Sequence, residues 1–241
     1  MWLPPPSHLH LTDQKPQVWQ ADLLADEPLQ YSLWECLSPD EKARANRFRF
    51  AKDKDSFVLT RGILRHLLGR YLQQDPKKIS FAYGPQGKPS LIEPPSLHFN
   101  VTHSGELALF AFALNQPIGV DLEHIQRAVE IELVAKHFFS AQEIAALFML
   151  PAAQQKQGFF NCWTRKEALI KAMGTGLAFP LAQFEVSLKP GDPAALLATH
   201  WDPAEAQQWF MTSFKPAEEY VGALAIKRPI VEVAYWQWPK G

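Results

Sequence analysis

Three acids pose the chemical question. Asp121 and Glu123 stand two positions apart in GVDLEH (119–124), and Glu167 lies in WTRKEALIKAMG (163–174). On a strand, alternate side chains share a face. Ile118, Val120 and Leu122 would point one way, and Gly119, Asp121 and Glu123 the other. Two neighbouring carboxylates repel unless a cation sits between them or water screens them. On a helix, Glu167 falls on the apolar stripe of Phe159, Trp163, Ile170 and Met173. A carboxylate there is costly to bury unless paired or metal-bound, and Lys171, four residues on, is the expected partner. Taken singly, these acids fit a wet strand face and a helix-surface ion pair. Taken together, they make three hard oxygen donors of the kind Mg²⁺ prefers. Arg44, Arg61, Lys88, His103, Lys166 and Lys171 are cations suited to phosphates. Magnesium amid such cations points to phosphoryl-group chemistry.

The elements that must position these residues can be read from the spacing. PQVWQADL reads as a strand and LQYSLWECL as a helix. Ser38, Pro39 and Glu41 mark a capped helix start. DSFVLTRGILRHLLGRYL is a second helix, ISFAYGPQGKPSL a strand with a Gly/Pro turn, and 97–123 two or three strands with a tight turn at Ser104-Gly105. The order then recurs. Ser140 and Glu143 form another capping box, GFFNCWTRKEALIKAMGTG is a helix closed by Gly174, and FEVSL, WFMTSF and YVGALAIK are strands. TRGILRHLLG (60–69) and TRKEALIKAMG (164–174) look alike. The expected fold is α+β, a pseudo-dimer of two similar halves, 1–118 and 119–241, each a small sheet packed with helices. The junction between them is a natural ligand cleft.

Bulk properties narrow the function class. A length of 241 residues suits one large domain or two small ones, and a net charge of -1 leaves no global basic footprint for nucleic acid. Two distant cysteines make neither a CxxC pair nor a disulfide framework, which fits a reducing cytoplasm. No signal peptide or membrane-spanning run is evident, so no membrane partner is expected. The absence of a GxxxxGK[ST] loop removes the commonest nucleotide hydrolases.

GVDLEHI followed some forty residues later by WTRKEALIKAMGTGL resembles the paired signature of the 4′-phosphopantetheinyl transferases. FNVTHSGELAL, the GKP at 87–89 and the length resemble the surfactin-synthetase-activating branch, over roughly residues 35–190. The resemblance implies transfer of the 4′-phosphopantetheine arm of coenzyme A to a serine of an acyl or peptidyl carrier protein, with adenosine 3′,5′-bisphosphate released. It implies Mg²⁺, or Mn²⁺, on Asp121, Glu123 and Glu167, with Glu167 also orienting or deprotonating the serine. It places Thr102 and His103 at the 3′-phosphate, Arg44 and Arg61 near the phosphates, Gly87 and Lys88 along the adenine, and Lys166 and Lys171 at the pyrophosphate. Glu143 matches another acid sometimes given the base role. Arg127 to Phe148, with KHFF at 136–139, is the expected carrier surface. Position 41 is Glu where some relatives carry lysine, and position 102 is Thr where serine is common. A pseudo-dimer satisfies its own junction, so a monomer is expected. The alternative is a non-catalytic member that binds coenzyme A or a carrier protein, against which the full set of acids argues.

Overall fold

The computed structural model describes residues 2–84 and 86–239. The first half runs β1 (Gln17–Asp22), α1 (Glu27–Glu35), α2 (Pro39–Ala45), α3 (Ala51–Leu72), β2 (Phe81–Tyr83), β3 (Pro89–Leu91), β4 (Leu97–Ser104) and β5 (Leu107–Leu114). The second runs β6 (Ile118–His124), α4 (Ile131–Phe138), α5 (Ala141–Met149), α6 (Ala152–Met173), β7 (Phe184–Val186), β8 (Leu196–Thr199), β9 (Trp209–Phe214) and β10 (Tyr220–Lys227). Both are a strand, helices, a short hairpin and two longer strands. A final strand, β11 (Ala234–Gln237), crosses back to pair in parallel with β1. Pro85, in the expected Gly/Pro turn between β2 and β3, lies outside the described residues.

Sheet order repeats as well. The first sheet is β11-β1-β5-β4 and the second β6-β10-β9, so β1-β5-β4 and β6-β10-β9 correspond. Helices α3 and α6 each have 22 residues, begin at 51 and 152, and end against left-handed caps at Gln73 and Gly174. The common offset is therefore 101. It pairs Thr60 with Asn161 and Leu64 with Arg165. The likeness of TRGILRHLLG to TRKEALIKAMG suggests a register three residues away from this one. Helix length and caps set the true equivalence, and the short sequence match is out of register.

Three apolar layers hold the halves together. Trp19, Leu59, Ile63, Leu67 and Phe110 pack α3 on the first sheet. Phe159, Leu169, Ile170, Val221 and Ala223 pack α6 on the second. Between the sheets, Val18, Leu109 and Ala111 meet Ile118, Val120, Leu122 and Leu224. The apolar face of GVDLEH thus fills the layer between sheets, leaving Gly119, Asp121 and Glu123 to face α6. Strand β4 runs beside β6, and the Asn100 side-chain carbonyl accepts from the Val120 N–H at 2.8 Å.

Candidate functional site

Gly119 lets α6 reach the acids. A Cβ there would stand 2.0 Å from the Ala168 carbonyl oxygen and 2.4 Å from the Ala172 nitrogen. Helix α6 therefore lies backbone to backbone on β6, which carries Glu167 and Lys171 over Asp121 and Glu123. The Lys171 ammonium lies 2.6 Å from Asp121 Oδ1 and 3.3 Å from Thr102 Oγ1. Thr102 also donates to Asp121 Oδ1 at 3.2 Å. The expected Glu167–Lys171 pair does not form, because the nearer, more buried Asp121 takes the ammonium. Glu123 is held by Arg127, whose Nη2 donates to Oε1 at 2.9 Å and whose Nε lies 2.9 Å from Oε2, and by the Ser104 hydroxyl at 3.3 Å.

At the β6–α6 junction two carboxylate oxygens are buried without a hydrogen-bond partner, Asp121 Oδ2 and Glu167 Oε1. Burial, reinforced by Asp121, pushes the Glu167 carboxyl up to about 7, against the opposing pull of Lys171. Burial and then the Asp121 charge likewise raise Glu123. Two orphaned oxygens on mutually repelling acids are the chemistry of a hard-cation site. The side chains do not stand as a ready ligand cluster: among the described residues no three of His, Cys, Asp and Glu group as metal ligands. Lys171 and Arg127 supply the counter-charge, and Arg127 draws Glu123 aside.

Strand alternation separates two functions at adjacent residues. Thr102 points to Asp121, whereas its neighbour His103 lines a pocket of roughly 400 Å³ against α3, with Arg44, Arg61 and Gly87. Burial, then Lys171, holds the His103 imidazole below its ordinary value. The Arg61 guanidinium stacks 4.8 Å from the Phe81 ring and 3.6 Å from Glu41, yet its Nη1 makes no hydrogen bond. Arg44 stacks 5.2 Å from the Phe57 ring. Gly87, with φ 74°, opens the turn beside them. Lys88 turns away into a different cavity and donates to the carbonyl of Lys171. Burial, with Lys171 adding to it, lowers its ammonium to about 8.

Lys166 is not with the other cations, which corrects the sequence expectation. It is fully buried on the far side of α6, 2.8 Å from Glu143, and donates to the carbonyls of Leu181 and Phe184. Glu143 is engaged in turn by the backbone N–H groups of Ser140 and Val186. The first half repeats the device. Arg65, 101 residues earlier, lies 2.6 Å from capping-box Glu41 and donates to the carbonyls of Pro76 and Ile79. Each buried pair ties a capped helix to a long helix; the first also holds the turn that leads into β2, and the second holds β7. No helical wheel of α6 alone could tell this lysine from one facing the site. Sequence reasoning also missed Ser104 and gave Arg127 no role at Glu123. Arg127 reaches back across a loop, and periodicity carries no signal there.

Family models match two stretches of the chain: the 4′-phosphopantetheinyl transferase superfamily over residues 117–225, and the N-terminal part of a 4′-phosphopantetheinyl transferase over 26–115. The chain is 37% identical over 240 residues to the 4′-phosphopantetheinyl transferase HetI of Nostoc sp., covering 98% of each chain. It is 34% identical over 195 residues to the 4′-phosphopantetheinyl transferase psf-1 of Bacillus pumilus, covering 80% of each. It is 35% identical over 152 residues to the 4′-phosphopantetheinyl transferase Sfp of Bacillus subtilis, covering 63% of this chain and 66% of that one.

Proposed function

This chain belongs to the 4′-phosphopantetheinyl transferase superfamily, and we propose that it moves the phosphopantetheine arm of coenzyme A onto a serine hydroxyl of an acyl or peptidyl carrier protein, releasing adenosine 3′,5′-bisphosphate. The observation that carries the site assignment is the pair of orphaned oxygens on Asp121 and Glu167 beside Lys171, a few residues along β4 and β6 from the His103 pocket. Asp121, Glu123 and Glu167 would hold a magnesium ion, which when bound would neutralise pyrophosphate charge and stabilise the leaving bisphosphate.

The chain's own residues do the rest. His103, Arg44 and Arg61 grip the remote 3′-phosphate, and the Gly87 turn borders the nucleotide. That grip fixes the angle at which the pyrophosphate meets the serine, and orientation is worth much of the barrier. Lys171, with Thr102 beside it, gives positive charge to the phosphate that stays with the arm. Lys88, expected along the adenine, instead holds the end of α6 through the Lys171 carbonyl from its separate cavity and is left out of the reaction. Glu167, at the junction of α6 with the acids of β6, takes the serine proton directly or through one water. Glu123, paired with Arg127 here, would have to give up that partner to hold the ion. Lys166 and Glu143 are left out of the reaction and hold α5, α6 and the β7–β8 hairpin in place.

The carrier docks over the stretch from Arg127 to Phe148. There Leu133 and Phe148 expose apolar surface while Phe139 is buried in the core. The halves divide near residue 118, and the chain acts as a monomer in the cytoplasm, without nucleic-acid or membrane partners. No helix among the described residues is long and apolar enough to cross a membrane. The deciding experiment is intact-mass spectrometry of an apo acyl carrier protein incubated with this protein, coenzyme A and Mg²⁺. A gain of one phosphopantetheinyl group, abolished by EDTA, is expected. No gain on acyl or peptidyl carriers, with coenzyme A still bound, would leave a binding protein instead.

A further inference from the structure

A second pocket lies on the second half where the first half carries the His103 pocket. Gln157, Asn161 and Arg165 of α6 line it, as Ser56, Thr60 and Leu64 of α3 line the first. Each of the three follows its counterpart by 101 residues, the offset between the two helices. The β7–β8 turn supplies Gly191, φ 93°, where the β2–β3 turn supplies Gly87, φ 74°. Edge strand β9 supplies Ser213 and Phe214 where edge strand β4 supplies Val101 and His103. The volumes are alike, roughly 360 and 400 Å³. The repeat has built two pockets, and the reaction above uses one.

The second pocket carries its own cations. Arg165 replaces Leu64 and is 2% exposed. Other buried cations are neutralised at close range, Arg65 by Glu41 at 2.6 Å and Lys166 by Glu143 at 2.8 Å. Arg165 has no carboxylate within ion-pair distance among the described residues. Its Nη1 donates to Ser187 and its Nη2 makes a long 3.4 Å bond to Ser213, while its Nε has no acceptor. Asp192, on the rim, acts on it only through its field. Lys215, exposed at the mouth and free of ion pairs among the described residues, adds a second positive charge. A buried cation without a partner charge is costly, and a guanidinium is shaped to take a phosphate.

We propose that this pocket binds an oxyanion of the phosphate-monoester class between Arg165 and Lys215, as a second site separate from the His103 pocket. It goes beyond the transfer reaction and stands whether or not carrier transfer is observed. The test is an NMR titration of ¹⁵N-labelled protein carrying His103→Ala, which weakens the first pocket, read at amides of the second. Inorganic phosphate is one titrant and adenosine 3′,5′-bisphosphate the other. Saturable shifts are expected at the amides of Gly191, Asp192, Ser213 and Lys215. Lys215→Glu should weaken them about tenfold or more, and Lys215→Arg should preserve them. Position 215 is exposed, so these variants keep the fold. A response to phosphate alone identifies a free anion as the ligand. A tighter response to the bisphosphate identifies a nucleotide. No saturable shift at those amides with either titrant, up to on the order of 50 mM, overturns the site, as does an undiminished response in Lys215→Glu.

Discussion

At the scale of the residue, the site is a balance of charges held too close for comfort. Glu167 shows it best, since burial and Asp121 together push its carboxyl up to about 7 from 4.5. Between those values the folded chain keeps a proton that the unfolded chain has lost. Stability therefore falls as pH rises through this window and levels off above it. Glu167→Gln removes that fall. Measured by urea denaturation in EDTA, the drop from pH 5 to pH 8 should shrink by about 1 kcal/mol, discounting for the part of the side chain open to water. The same variant should lose transfer more than coenzyme A binding. Asp121→Asn should also nearly abolish transfer while leaving the EDTA-treated protein folded. Retention of near-normal transfer by Asp121→Asn in Mg²⁺ would refute the metal assignment. Lys166 makes the contrast. Lys166→Met leaves Glu143 buried and uncompensated and should cost about 3–5 kcal/mol of unfolding free energy, read by urea denaturation. Coenzyme A affinity, measured calorimetrically on the variant that remains folded at low temperature, should be unchanged.

At the scale of the element, one glycine fixes the distance between strand and helix. The β6–α6 contact at Gly119 has no room for a methyl group, with backbone atoms of α6 on both sides. Gly119→Ala must push α6 outward or bend it. Overpacking of this kind costs about 3 kcal/mol, the upper part of its usual range, because backbone cannot rotate away. The expected outcome is a lower urea midpoint together with loss of transfer, since Glu167 and Lys171 ride on the displaced helix. A stable variant with full transfer would show that α6 is positioned by its apolar face alone. The capping boxes at Ser38 and Ser140 work at the same scale. Each uses a buried glutamate twice, once at a helix start and once for a cation on the next long helix.

At the scale of the whole molecule, the two halves share a core. The layer between the sheets draws on β1, β5, β6 and β10, and β11 from the chain's end completes the first sheet. Neither half can bury its inner sheet face alone. Produced separately, residues 1–117 and 118–241 should each remain unfolded or aggregate, and the intact chain should unfold in a single transition by circular dichroism and by tryptophan fluorescence. Two resolved transitions would mean that the halves are independent domains. The repeat also explains why the site is single. Glu167 on α6 corresponds by position to His66 on α3, and Asp121 on β6 to Gln20 on β1, so of the three acids only Glu123 has an acidic counterpart, Asp22.

Local chemistry was legible without coordinates. Alternation in GVDLEH assigned its two faces, the Ser-x-x-Glu boxes marked two helix starts, Gly174 closed α6, and the spacing of GVDLEH to WTRKE carried the family resemblance. These features depend on neighbours in sequence, where backbone geometry leaves few options. Tertiary structure decided the rest. It gave Lys171 to Asp121 rather than to Glu167, sent Lys166 to Glu143, brought Arg127 back to Glu123, and set the offset between the halves at 101. A long cation can pair with any acid within its reach, and which acid lies there depends on how helix and strand pack. That packing was set by a glycine and three apolar layers drawn from distant parts of the chain.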